Sequence, residues 1–155
     1  MKSSVLNIAF YKFVDLADPA ALRPVMRDAC ERLALKGTVI LSPEGINGFL
    51  AGLEADARAF LDEVRARPEF ADLIAKESLS DLIPFGRLKV KLKKEIIPMG
   101  EPEIRPARST GKRLAPAELK NILDKKRGEV LLLDTRNRYE IEKGTFEGAV
   151  DLGIE

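Results

Sequence analysis

The 155-residue chain has no histidine and no tryptophan, and Cys30 is its single cysteine. Without histidine there is no serine–histidine triad, no imidazole-ligated metal and no imidazole acid–base pair at neutral pH. One thiol excludes an internal disulfide and a cysteine-built zinc site, and it suits a reducing compartment. No apolar run approaches the roughly 20 residues that cross a bilayer, and the N-terminus lacks the basic, apolar and small-residue order of a secretory signal. The expectation is therefore a cytoplasmic protein with no membrane partner and no resident metal. The 45% hydrophobic content is nonetheless enough to build a core.

The formal net charge of +1 conceals an uneven distribution. Residues 1–85 carry a net −3, residues 86–113 a net +6 and residues 114–155 a net −2. A basic centre between mildly acidic flanks argues for a local surface that faces a polyanion, which global charge would not provide.

Asn7 to Val14 is rich in β-formers and reads as a strand. Asp18-Pro19 supplies a helix cap and a first-turn proline, and Leu22, Val25, Met26, Ala29 and Leu33 recur at helical spacing up to Gly37. Thr38–Leu41 and Ile46–Ala51 flank a turn and predict a hairpin. Ala57, Phe60, Leu61 and Val64 line a second helix that Pro68 ends. Weaker strand character follows between Ile74 and Leu82, and strong strand character from Arg87 to Ile97. This order predicts an α+β fold, a ferredoxin-like or acylphosphatase-like antiparallel sandwich with its helices on one face and an added final strand. Pro98 to Pro116 holds four prolines and two glycines and reads as a basic linker. Ala117–Lys126 predicts a short helix, and Val130–Leu133 a buried type of strand that expects parallel neighbours; short of them, the tail is expected either to swap or pack onto another molecule or to leave Leu131 and Leu133 little buried. The expected organisation is a domain over 1–97, a linker over 98–115 and a separate segment over 116–155.

Alternation is clearest at Arg87-Leu88-Lys89-Val90-Lys91-Leu92-Lys93, where Leu88, Val90 and Leu92 are expected to face the core and four cations the other side. Two readings stand. Cations about 6.6–6.8 Å apart along a strand match successive phosphates of a nucleic acid, while lysines on an edge strand also simply protect it from aggregation. Arg105, Arg108, Lys112 and Arg113 in the linker extend the positive surface. Phe10, Tyr11, Phe13 and Phe49 lie on the first and third strands, where RNA-binding sheets stack bases, although phenylalanine at such positions more often belongs to the core. Gly45, Gly48 and Gly52 around Asn47 admit either a ligand near the backbone or a tight hairpin. Acylphosphatase activity is disfavoured, since Val14-Asp15-Leu16-Ala17-Asp18 offers acids where an anion loop would follow the first strand. Cys30, beside Asp28 and Glu31, reads as a buried small hydrophobe and not a nucleophile. Asp134 and Arg136 follow a predicted strand, where open α/β sheets bind ligands. An Arg136–Glu140 pair on a helix is the structural alternative.

The blocks YKFV (Tyr11–Val14), KGTVILSPEGINGFLAG (Lys36–Gly52), KES (Lys76–Ser78), PFGRLKVKLKKEII (Pro84–Ile97) and LLDTRNRYEIEKGTFEGAV (Leu132–Val150) occur in this order. With them the chain resembles the rhodanese-like bacterial tRNA uridine hydroxylase family. The resemblance implies an acylphosphatase-like domain followed by the start of an α/β rhodanese domain, of which Asp134 and Arg136 would be shaping residues. It implies oxygen-dependent 5-hydroxylation of the wobble uridine of tRNA, with molecular oxygen as co-substrate. The reacting cysteine of the rhodanese loop is expected beyond Glu155, so no catalytic residue is expected here and these residues are expected to be inactive alone. Partners would be tRNA, the rest of the rhodanese domain and, through the tail, a second copy. A generic rhodanese-type sulfurtransferase and a scaffold domain that leaves RNA to other surfaces are the alternatives.

Overall fold

A computed structural model describes residues 4–96, 111–125 and 129–154, and the chain divides into two compact units, Met1–Thr110 and Gly111–Glu155. The first opens with β1 (Val5–Phe13), whose Leu6, Ile8 and Phe10 alternate onto one face and are buried. Asp18 then caps α1 (Pro19–Arg32), accepting from the Ala21 N–H at 2.8 Å, and Pro24 is accommodated inside the helix. Its buried arc is Leu22, Met26, Ala29 and Cys30. Val25 falls off that arc and is exposed. The turn out of the helix is taken by Ala34, at φ 50, and not by Gly37, which already lies in the next strand.

The hairpin β2 (Lys36–Ser42) and β3 (Gly45–Leu53) forms as the β-former pattern predicts. Its glycines serve packing. Gly45 sits at φ +139, where a Cβ would overlap the Lys12 carbonyl, and Gly48 lies under the ring of Phe10. Helix α2 (Glu54–Arg65) contributes Ala57, Phe60, Leu61 and Val64 to the core, and Phe60 meets Phe10 with ring centroids 6.1 Å apart. A 3₁₀ turn (Pro68–Phe70) follows, held to β1 by Lys12, which donates to the Glu69 carbonyl at 2.7 Å and pairs with Asp72.

β4 (Ala75–Ser80) and β5 (Leu88–Leu92) complete a five-stranded sheet of order β4-β1-β3-β2-β5. The helices cover one face, as expected for an acylphosphatase-like α+β sandwich. The sheet, however, is mixed and not wholly antiparallel, because β5 runs parallel to β2 with Val90 opposite Val39. The cause is the connection 81–87, which carries the chain from one sheet edge to the other, four strand spacings or about 19 Å, and reverses its direction once. β5 is also shorter than the alternation suggested. It ends at Leu92, which is 41% exposed and not in the core, since it closes an edge strand; Ile97 lies outside the described residues.

In the second unit, α3 (Pro116–Lys125), β6 (Leu133–Asp134), α4 (Arg138–Ile141) and β7 (Val150–Asp151) follow in order. β6 finds a parallel partner in β7, Leu133 opposite Val150. The apolar run Val130–Leu133 has the pattern of a buried strand, but Leu131 is 72% and Leu133 46% exposed, the little-buried outcome expected for a strand short of neighbours. A ladder two residues long gives each strand one neighbour and too little apolar surface to cover its leucines.

Candidate nucleic-acid interface

β5 is an edge strand, and its backbone alternates as its side chains do. Arg87 and Lys93 turn their peptide groups inward to β2, the Gly37 N–H donating to the Arg87 carbonyl at 3.1 Å and the Lys93 N–H to the Leu41 carbonyl at 2.9 Å. Lys89 lies opposite Thr38 and Lys91 opposite Ile40. Both therefore project from the face away from the helices, whereas Val90, opposite the fully buried Val39, enters the core.

Several cations elsewhere in this unit are paired with carboxylates. Arg32 meets Glu63 at 2.6 Å, and Arg58 meets Glu54 at 2.9 Å and Glu77 at 3.1 Å. On β5, by contrast, none of Arg87, Lys89, Lys91 and Lys93 has a carboxylate within ion-pair distance among the described residues. A row of uncompensated charge at strand spacing attracts polyanions and releases their counterions.

Two arginines of α1 join this edge. Arg23 donates through Nε to the Val90 carbonyl at 3.1 Å, satisfying an outward-facing peptide group. Arg27 lines, with Arg87, Leu88, Lys89, Val90 and Lys91, an open cleft of about 330 Å³, while also reaching Glu31 at 3.5 Å. Sequence spacing alone could not have found them, since nothing local to α1 says that it packs beside β5.

The linker cations divide differently. Arg105 and Arg108 lie outside the described residues. Lys112 and Arg113 belong to the second unit, where Lys112 approaches Glu118 at 3.7 Å and Arg113 is engaged in an interaction of its own.

In that unit Asp134 is heavily bonded. It accepts from Arg136 Nε at 2.9 Å, Arg136 Nη2 at 2.6 Å, the Arg136 N–H at 3.2 Å and the Thr145 hydroxyl at 2.7 Å. The guanidinium fork first, and the hydroxyl second, hold its carboxyl well below the usual carboxylate range. Arg136 also reaches the Gly144 carbonyl at 2.8 Å, which ties β6 to the glycine turn. The alternative Arg136–Glu140 pair is not made, for Glu140 accepts instead from the Asn137 N–H at 3.2 Å. The arrangement is a structural clasp.

Cys30 is fully buried, and burial, aided by Glu31, pushes its thiol up to about 12. It is no nucleophile at neutral pH. Nor is there an anion loop after β1: the Val14 and Leu16 N–H groups donate to the Glu44 and Pro43 carbonyls, both at 2.9 Å.

Of the four strand aromatics, Phe10 alone is core. Tyr11 and Phe49 are 44% and 48% exposed on the open face, and Phe13 is half-buried. The general preference of phenylalanine for the interior loses here because the helices of this unit lie on the opposite face of the sheet.

These features define an acylphosphatase-like α+β domain whose anion loop is missing and whose charge is moved to the fifth strand. The chain belongs to the family of the UPF0176 acylphosphatase like domain, whose model matches residues 5–96. A Ralstonia nicotianae protein called tRNA uridine(34) hydroxylase is 50% identical over 97% of this chain and 55% of its own length. One of the same name from Cupriavidus necator is 49% identical over 97% of the chain and 55% of its length. The chain thus spans about half the length of these relatives. Among solved structures, the BLUF protein BlrB in its dark state is similar with a TM-score of 0.51 at 16% identity, over 59% of this chain and 75% of that one, a likeness of fold.

Proposed function

We propose that these residues are the tRNA-engaging part of a tRNA uridine hydroxylase, which adds a hydroxyl at C5 of the wobble uridine with molecular oxygen as co-substrate. The observation that carries the reading is the β5 edge, whose cations lack carboxylate partners among the described residues and follow one another at phosphate spacing. The names of the relatives support the substrate. Lys89, Lys91 and Lys93 hold the RNA backbone, with Arg87 and the α1 residue Arg27 widening the positive edge; Arg105, Arg108, Lys112 and Arg113 supply further cations from the following segment. Asp134, Arg136 and Thr145 keep the start of the rhodanese part in shape and touch no reacting atom. Cys30 is sealed in the core and supplies no thiol to the reaction.

The test is mass spectrometry of tRNA after incubation with the full-length protein under air and under nitrogen. A gain of one oxygen at uridine, in air alone, is expected. Sulfur transfer from thiosulfate to cyanide with unmodified tRNA would instead establish a generic sulfurtransferase.

A further inference from the structure

The register of the sheet places two rows of side chains across the open face. Lys76, Ala9, Phe49, Thr38 and Lys89 form one row, and Tyr11, Asn47, Ile40 and Lys91 the next. These rows contain three lysines, two exposed rings and no carboxylate. Phe49 and Tyr11 stand on adjacent strands, one row apart, which sets them about 7–8 Å from each other. That separation suits two successive unstacked bases of a single strand.

Each ring is held by a second aromatic and stays accessible. Phe85, from the connection 81–87, meets Phe49 edge-on with centroids 5.0 Å apart, and Phe13 meets Tyr11 at 5.9 Å. A ring fixed in this way loses little further freedom when a base stacks on it. Lys89 and Lys91 stand two strands from Phe49 and Asn47, about 10 Å. This is a reach suited to the phosphates of a nucleotide whose base lies on the ring. Between them Asn47 offers both a donor and an acceptor, and its side chain makes no hydrogen bond to the described residues.

We infer that the open face of the β4-β1-β3-β2-β5 sheet binds unpaired RNA, stacking two consecutive bases on Phe49 and Tyr11 while Lys89 and Lys91 hold the flanking phosphates. The inference rests on the proposed tRNA role and adds the part of the RNA that is read: exposed bases of a loop, where charge alone would take any phosphate backbone. The face suits nucleic acid and not a protein strand, because it is the face of a sheet and offers rings and cations in place of free peptide groups.

The experiment uses the 155-residue chain and three probes: a uridine-rich single-stranded RNA heptamer, the same ribose-phosphate chain without bases, and the heptamer in a duplex. Phe49→Leu and Tyr11→Leu should each weaken heptamer binding about tenfold and leave the abasic probe unchanged, while Phe49→Tyr retains binding. Because the chain has no tryptophan, Phe49→Trp places a lone fluorophore on the face. The heptamer should quench its emission, and neither the abasic probe nor the duplex should. Equal affinity for heptamer and abasic probe, or unquenched emission at saturating heptamer, overturns the stacking inference while leaving an electrostatic tRNA role intact. If none of the three probes binds, the proposed function falls and this inference with it.

Discussion

Replacing Lys89, Lys91 and Lys93 together with glutamine tests the cationic edge most directly. Lys91 and Lys93 are exposed and Lys89 half-buried, and none is tied to a carboxylate among the described residues. The variant should therefore unfold at nearly the wild-type temperature. The three residues span about 13 Å of strand, enough for two phosphate steps. Each phosphate contact contributes a slope of about −0.7 to −0.9 to the dependence of log affinity on log salt, so three lost contacts flatten it by about 2 to 3. Between 50 and 200 mM salt, a fourfold change, the wild type should lose about 20- to 40-fold more tRNA affinity than the variant. Fluorescence anisotropy of labelled tRNA across a salt series measures both slopes. Parallel lines for the two proteins would refute the assignment of phosphate contacts to β5.

Gly48→Ala should destabilise the first unit by about 1–3 kcal/mol in urea unfolding, because a Cβ there overlaps the Phe10 ring; unchanged stability would mean that the ring has another place to go. Cys30 should resist aromatic disulfide reagents in the native state and react only on unfolding. Its folded value of about 12 stands above its ordinary 9.0, so its contribution to stability is fully present below pH 9 and is lost as pH rises through the folded value. Cys30→Ala should abolish that alkaline slope in unfolding curves taken between pH 9 and 12. Asp134 has the opposite sign. Its carboxyl is held below 3.8, and its contribution is present above that value and lost as pH falls beneath it. Thr145→Val should move the carboxyl back upward, a change that NMR titration of the side-chain carboxyl carbon reads directly.

Much of the fold was legible because hydrophobic periodicity is local. The β-former run from Asn7 to Val14, Asp18-Pro19 at a helix start, and Ala57, Phe60, Leu61 and Val64 on one arc each announce their element within a few residues. Phe49 was misjudged for the opposite reason. Whether an alternating strand buries one face or two depends on the layers around it, which no short window contains. The same blindness applied to Leu92, which has the right phase for the core but stands at the end of an edge. At Leu131 and Leu133 the apolar run was plain and so was its shortage of neighbours, and both are exposed as expected.

Taken alone, the amino-acid order determined what chemistry is absent, where charge concentrates and which residues share a strand face, since composition and period are properties of neighbouring residues. Only the tertiary structure decided that β5 lies parallel to β2 at an edge, that α1 brings Arg23 and Arg27 beside it, and that Tyr11 and Phe49 share with its lysines the face away from the helices. Those relations join residues tens of positions apart, and they arise from which strands pair and which layer covers them.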